Sequence, residues 1–223
     1  MEAVIHLAEK RVPRVAGSLE TAHTFAHQGD NNREPFKILS ALNDHLLKGD
    51  GQSIINCDKH ALILLLPIVG GLEFQREGND NVLLEIGNAA WFSVAPDTSV
   101  VIKNPYKTQS INFIWLTIEG NMMAGNATEI CAFDLDVNKN ALMAFTAQQT
   151  STVIQSFIGA FEGRRECTLT LTPFESAYVF VVQGAFEVED RLLQPRDGLA
   201  LKNITALTFE SLSQNAVILI LAF

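Results

Sequence analysis

Val69-Gly70-Gly71-Leu72-Glu73-Phe74, followed by Leu83-Leu84-Glu85-Ile86-Gly87-Asn88-Ala89-Ala90, returns later in the chain as Val182-Gln183-Gly184-Ala185-Phe186-Glu187-Val188 and then Leu193-Gln194-Pro195-Arg196-Asp197-Gly198-Leu199-Ala200. Each copy runs from an apolar strand through a glycine turn to an alternating strand, then through a second turn to another apolar strand. Antiparallel hairpins are punctuated in this way, and self-similarity at long range marks a duplicated structural module. Glycine suits the first turn because it adopts positive φ without a Cβ penalty. The residue after Asp197 is read in the same way, as a glycine supplying a turn conformation that Asp would resist.

Working outward, period-two and continuous apolar runs cover residues 54–55, 61–69, 82–86, 89–94, 99–103 and 111–118. Glu77-Gly78-Asn79-Asp80-Asn81, Ala95-Pro96-Asp97-Thr98 and Asn104-Pro105-Tyr106-Lys107 separate them with residues that accept turn geometry. The polar, small-residue stretch 119–126 interrupts the pattern and marks the expected domain boundary. Beyond it, residues 141–145, 152–161, 166–171, 176–189 and 199–223 supply the strands of a second module. Val153-Ile154-Gln155-Ser156-Phe157-Ile158 reads as strand because β-branched residues crowd it, with a short helix as the alternative. The expectation is an all-β chain of two tandem barrels, 1–120 and 121–223. The terminal strand, 216–223, is expected at a sheet edge unless the N-terminal segment covers it.

Composition narrows the classes. With 223 residues, 48% hydrophobic and 18% charged, the chain is long enough to bury two cores, and fourteen Phe against two Tyr point to buried aromatics. A formal net charge of -9 opposes non-specific attraction to phosphate backbones, so nucleic acid is not an expected partner. Cys57, Cys131 and Cys167 are widely spaced, form no Cys-x-x-Cys pair and read as reduced core thiols. The first eleven residues include Glu2, His6, Glu9, Lys10 and Arg11, which breaks up any apolar leader segment. The longest apolar run, 61–69, is about half of a membrane span and contains Pro67. These features read as a cytoplasmic protein with no membrane partner.

Three further stretches carry a family resemblance: Leu19-Glu20-Thr21-Ala22-His23-Thr24-Phe25, Leu39-Ser40-Ala41-Leu42-Asn43-Asp44, and residues 177–198 with the terminal Val217-Ile218-Leu219-Ile220-Leu221. In this order, and together with the duplicated module, they resemble the pirin family of bicupins, including its quercetinase-like members. The resemblance implies two cupin-type (double-stranded β-helix, jelly-roll) barrels. It also implies a mononuclear iron site in the first barrel, built from an HxH pair and a later His and Glu two positions apart. In some members that site supports oxygenation of flavonols such as quercetin; animal pirin acts as a transcriptional co-regulator. Counting back from Gly70, the HxH pair falls at Asn56 and Asp58. Counting on from Trp91, the later pair falls at Val100 and Ile102.

The chemistry of those four positions departs from the family. A dioxygenase iron takes imidazole or carboxylate ligands on one face and leaves positions open for oxygen and substrate. Val100 and Ile102 share a strand face by period two and have no donor atom, so they are expected to dry a pocket or extend the core. The leading expectation is a non-catalytic small-molecule-binding or regulatory module without a metal cofactor and with no catalytic residue. The alternative is a divergent metal-dependent, quercetin 2,3-dioxygenase-like enzyme using Asp58 and His60, whose i, i+2 spacing aligns them on one strand face. The competing reading of Cys57-Asp58-Lys59-His60 is a polar turn before the apolar strand. A third reading is a filled barrel whose outer face makes a homodimer. His23 and His27, four apart, lack the acidic residue of a His-Glu-x-x-His motif and read as structural or exposed. Glu73 and Glu187, equivalent in the two copies, read as outward-facing hairpin residues.

Overall fold

The computed structural model describes residues 1–25, 33–78, 80–120, 127–146, 148 and 153–223. Among these the chain is all-β, with a 3-10 turn at Ala8–Lys10 and no α-helix. The early strands are β1 (Glu2–His6), β2 (Arg14–Ala16), β3 (Leu19–His23), β4 (Leu39–Leu47), β5 (Gln52–Cys57), β6 (Ala61–Val69), β7 (Leu72–Arg76), β8 (Val82–Leu84), β9 (Asn88–Val94), β10 (Thr98–Lys103), β11 (Ile111–Glu119) and β12 (Glu129–Ala132). The later ones are β13 (Met143–Ala144), β14 (Gln155–Phe161), β15 (Arg165–Thr170), β16 (Ser176–Gln183), β17 (Phe186–Val188), β18 (Arg191–Leu193), β19 (Gly198–Lys202), β20 (Ala206–Ser211) and β21 (Ala216–Ala222). Of the two readings of 153–158, strand is the one that forms, as part of β14.

Two compact units result: Arg11–Ala132, and Met1–Lys10 together with Phe133–Phe223. In the first, a sheet ordered β12-β9-β6-β11-β4-β3-β2 shares a core with β5-β10-β7-β8. In the second, β1-β19-β16-β21-β14-β13 shares a core with β15-β20-β17-β18. The central four strands correspond one for one, β9-β6-β11-β4 with β19-β16-β21-β14, so the sequence repeat is a repeat of double-sheet barrels.

The unit limits differ from the expected 1–120 and 121–223 at both ends. β1 pairs antiparallel with β19, Val4 opposite Ala200, which places the first residues in the second barrel. β12 pairs with β9, Ile130 opposite Ala90, which carries the first barrel past residue 120. Each large sheet is thus extended at the same place by a strand from a different part of the chain. The expectation of an edge at 216–223 is also corrected: β21 lies between β16 and β14, with both sets of backbone groups paired. The N-terminal strand extends the other end of that sheet.

Gly70 and Gly184 hold φ of 71° and 73°, as the repeat predicts for the glycine turn. A Cβ at Gly70 would meet Ile111 Cγ2 at 2.8 Å, and one at Gly184 would meet Ala216 Cβ at 2.8 Å. The turn before β19 works differently from expectation. There Arg196 carries the positive φ, at 71°, and Gly198 has none. Gly198 is small because the Tyr178 hydroxyl stands 2.1 Å from where its Cβ would be. Asp197 is buried and accepts the backbone N–H groups of Ala8 and Gln194, so it ties the N-terminal segment to the second barrel.

The second core is aromatic at its centre, where Phe161, Phe186 and Phe209 meet edge to face at centroid separations of 5.2–6.2 Å. In the first, Phe74 stacks on Phe92, and Phe92 meets Trp115 edge-on. All three cysteines are free thiols and half-buried rather than fully in the core. Burial raises the pKa of each, which suits the reduced, unreactive reading. No helix among the described residues is long and apolar enough to cross a membrane.

Candidate functional site

The register of the first barrel decides which side chains face its interior. Directly opposed residues share a face, and β10 pairs with β5 as Thr98–Cys57, Ser99–Asn56, Val100–Ile55 and Ile102–Ser53. Val100 and Ile102, 1% and 0% exposed, belong to the core. Cys57 and Ile55, on the same face, pack against that core. Asn56 lies on the other face, where with Ser99, Val101 and Gln75 it borders a shallow outer depression. Asp58, past the end of β5, is exposed, and so are Lys59 and His60.

The four positions aligned with the family ligands therefore do not converge, and they do not fit an iron ion. Two have no donor atom, Asn56 faces away from those two, and Asp58 stands in solvent at the rim. Among the described residues no group of three or more His, Cys, Asp or Glu could hold a metal. Glu73 faces outward on β7, accepting from Asn81 Nδ2 at 3.0 Å and lying 3.8 Å from Lys103 Nζ. Glu187, its counterpart on β17, is exposed opposite Glu210.

A cavity of about 530 Å³ opens at the mouth of this barrel, within the usual small-molecule range of ~300–1,000 Å³. One wall is apolar, with Ile55, Ile63 and Val94. The other belongs to β3, β4 and β11, whose inner faces form rows: Leu19, Leu47 and Ile111; Thr21, His45 and Phe113; His23, Asn43 and Trp115; then Ala41 with Thr117. The last two rows line the cavity. His23 Nδ1 donates to Asn43 Oδ1 at 2.9 Å, and Trp115 Nε1 donates to the Thr117 hydroxyl at 3.1 Å. Asn56, Cys57 and Asp58 also border the cavity, with the Lys59–Glu119 ion pair at 3.1 Å. His23, read from sequence as structural or exposed, is thus half-buried in a cavity wall; His27 lies outside the described residues.

One row deeper, His45 is buried against Phe113 at a ring separation of 4.8 Å, and its Nδ1 is 2.8 Å from the Thr21 hydroxyl. Among the described residues its Nε2 has no hydrogen-bond partner. Burial pushes the His45 pKa down to about 3, and His23 adds to the effect, so the ring is neutral. Sequence reasoning missed the polar ladder Thr21–His45 and His23–Asn43. Its signal was the alternation of Ala41, Asn43, His45 and Leu47 on a strand whose remaining inner neighbours are apolar.

Two barrels of this construction in one chain define a bicupin. Residues 139–221 match the quercetinase C-terminal cupin domain family. YhhW from Escherichia coli has a TM-score of 0.85 at 17% identity, covering 100% of this chain and 97% of its own. The bacterial pirin YhhW in complex with nickel(II), also from Escherichia coli, gives 0.83 at 18%, covering 100% and 99%. Quercetin 2,3-dioxygenase from Acinetobacter baumannii gives 0.72 at 11%, covering 100% and 85%. A search of the curated proteins finds no match. The chain has the fold of a pirin-like bicupin, and the match to the quercetinase C-terminal cupin domain family falls on its second barrel.

Proposed function

We propose that this pirin-like bicupin acts without iron, as a small-molecule-binding or regulatory module whose ligand enters the mouth of the first barrel. The observation that carries this reading is the burial of Val100 and Ile102 in an apolar core while Asn56 faces the opposite side of the sheet. The second barrel supports it. By the repeat register, Leu207 and Phe209 stand where Val100 and Ile102 stand in the first, and both are core residues. The same place is packed in both barrels, whereas the mouth of the first retains a cavity with polar side chains on one wall.

Oxygen uptake with quercetin, measured after anaerobic reconstitution with ferrous iron, tests the proposal against the oxygenase alternative. The expected result is no uptake above a protein-free control. Turnover that disappears in Asp58→Ala or His60→Ala would establish the alternative instead.

A further inference from the structure

β1 ends the six-stranded sheet of the second barrel, pairing with β19 along all five of its residues and, among the described residues, with no other strand. One row of its backbone N–H and C=O groups is therefore open to an added strand. Side chains alternate along it, so Ala3 and Ile5 share the face that packs on the second core, while Glu2, Val4 and His6 share the other. Val4 is 51% exposed and Ile5 38%, with Met1 and Leu7 exposed at either end, so the edge is apolar and open on both faces. Sheet edges are ordinarily blunted by shortness, charge, proline or a bulge. Most other edge strands among the described residues are protected: β2, β8, β13 and β18 have two or three residues, and β15 carries Arg165 and Glu166. At β5 the Ser18 hydroxyl donates to the Gln52 carbonyl, and β12 exposes one large apolar residue, Ile130. β1 instead has unbroken register, no proline and a single carboxylate, Glu2, at its start.

We propose that β1 is the docking edge for a second copy of this chain, joined antiparallel about a two-fold axis at Val4, so that the two large sheets become one. Pairing about Val4 sets every residue of the strand opposite one of its copy: Glu2 with His6, Ala3 with Ile5, and Val4 with itself. Directly opposed residues share a face, so a carboxylate comes beside an imidazole on one face and a small residue beside a large one on the other. An axis at Ala3 or Ile5 leaves two residues of each strand unpaired, and a register shifted by one sets core-facing side chains against outward ones. A five-residue edge is a small interface against the ~800 Å² per partner of a standard one, so the dimer is reversible, with a Kd in the micromolar range.

Sedimentation velocity of the untagged full chain from about 1 to about 200 µM tests this, with a shift from monomer to dimer expected across the range. Val4→Lys sets two cations across the axis from a half-exposed position, and is expected to weaken the dimer about tenfold with the melting temperature held. Val4→Glu is expected to do the same. An equal mixture of the two variants is expected to recover the dimer, because pairing about position 4 brings the opposite charges together. A strict monomer at the highest concentration, the result if the edge serves a strand of another protein, overturns the inference. So does a dimer indifferent to both substitutions, or a mixture that associates no better than its components.

Discussion

Between pH 6.5 and about pH 4, the wild-type first barrel is expected to lose about 1.4 kcal/mol more stability per pH unit than a Thr21→Val/His45→Leu variant. The sign follows from the direction of the shift. His45 has a folded pKa of about 3 against an ordinary value of 6.5. As pH falls below 6.5 the unfolded chain takes up a proton that the folded chain refuses, so stability is lost across that window and is unaffected above it. Summed over the window the difference reaches about 3 kcal/mol, a large part of the whole stability of a marginal domain. The double variant removes both members of the hydrogen bond, so it leaves no new unsatisfied group and is expected to match the wild type near neutral pH. Urea unfolding followed by Trp fluorescence at several pH values measures the two slopes. Equal slopes would mean that His45 is reached by solvent in the folded state.

Converting the apolar pair to the family's ligand types is expected to break the first barrel rather than restore it. In Val100→His/Ile102→Glu the carboxylate would replace a fully buried side chain between Ser53 and Phe74, and the cation on that face, Arg76, stands opposite position 100 rather than 102 and is already held against the Phe92 ring and the Ser93 carbonyl. An unpaired buried charge costs about 3–5 kcal/mol, or the group takes up a proton and loses its capacity as a ligand. The expected result is a first-barrel unfolding transition lowered by at least ~3 kcal/mol and unmoved by ferrous iron. Stabilisation by iron would contradict this, since it would require β5 to present donors to β10 that the observed register turns away.

Why β5 resisted a reading from sequence is instructive. Gln52-Ser53-Ile54-Ile55-Asn56-Cys57 has an isoleucine on each face, and Ile54 is 59% exposed while Ile55 faces inward. A one-residue slip exchanges the faces, and this pattern does not forbid it, so counting from Gly70 could place Asn56 in a ligand slot without revealing that it points out. The glycine turns, by contrast, were legible because Gly70 and Gly184 satisfy both a positive φ and a close approach. The continuous apolar runs of β6 and β16 were legible for a related reason: almost every residue in them is buried. The pairing of β1 with β19 joins residues nearly two hundred positions apart, and nothing local in Glu2–His6 announces it. The inner ladder of Thr21, His23, Asn43 and His45 was hidden because polar residues on an alternating strand read as its solvent face.

Iron content, determined by elemental analysis on untagged protein purified without chelator and again after anaerobic reconstitution, tests the central claim most directly. The account predicts iron well below stoichiometric in both samples, because the aligned positions supply no convergent donors. Near-stoichiometric iron, retained through gel filtration and lost in Asp58→Ala, would contradict it.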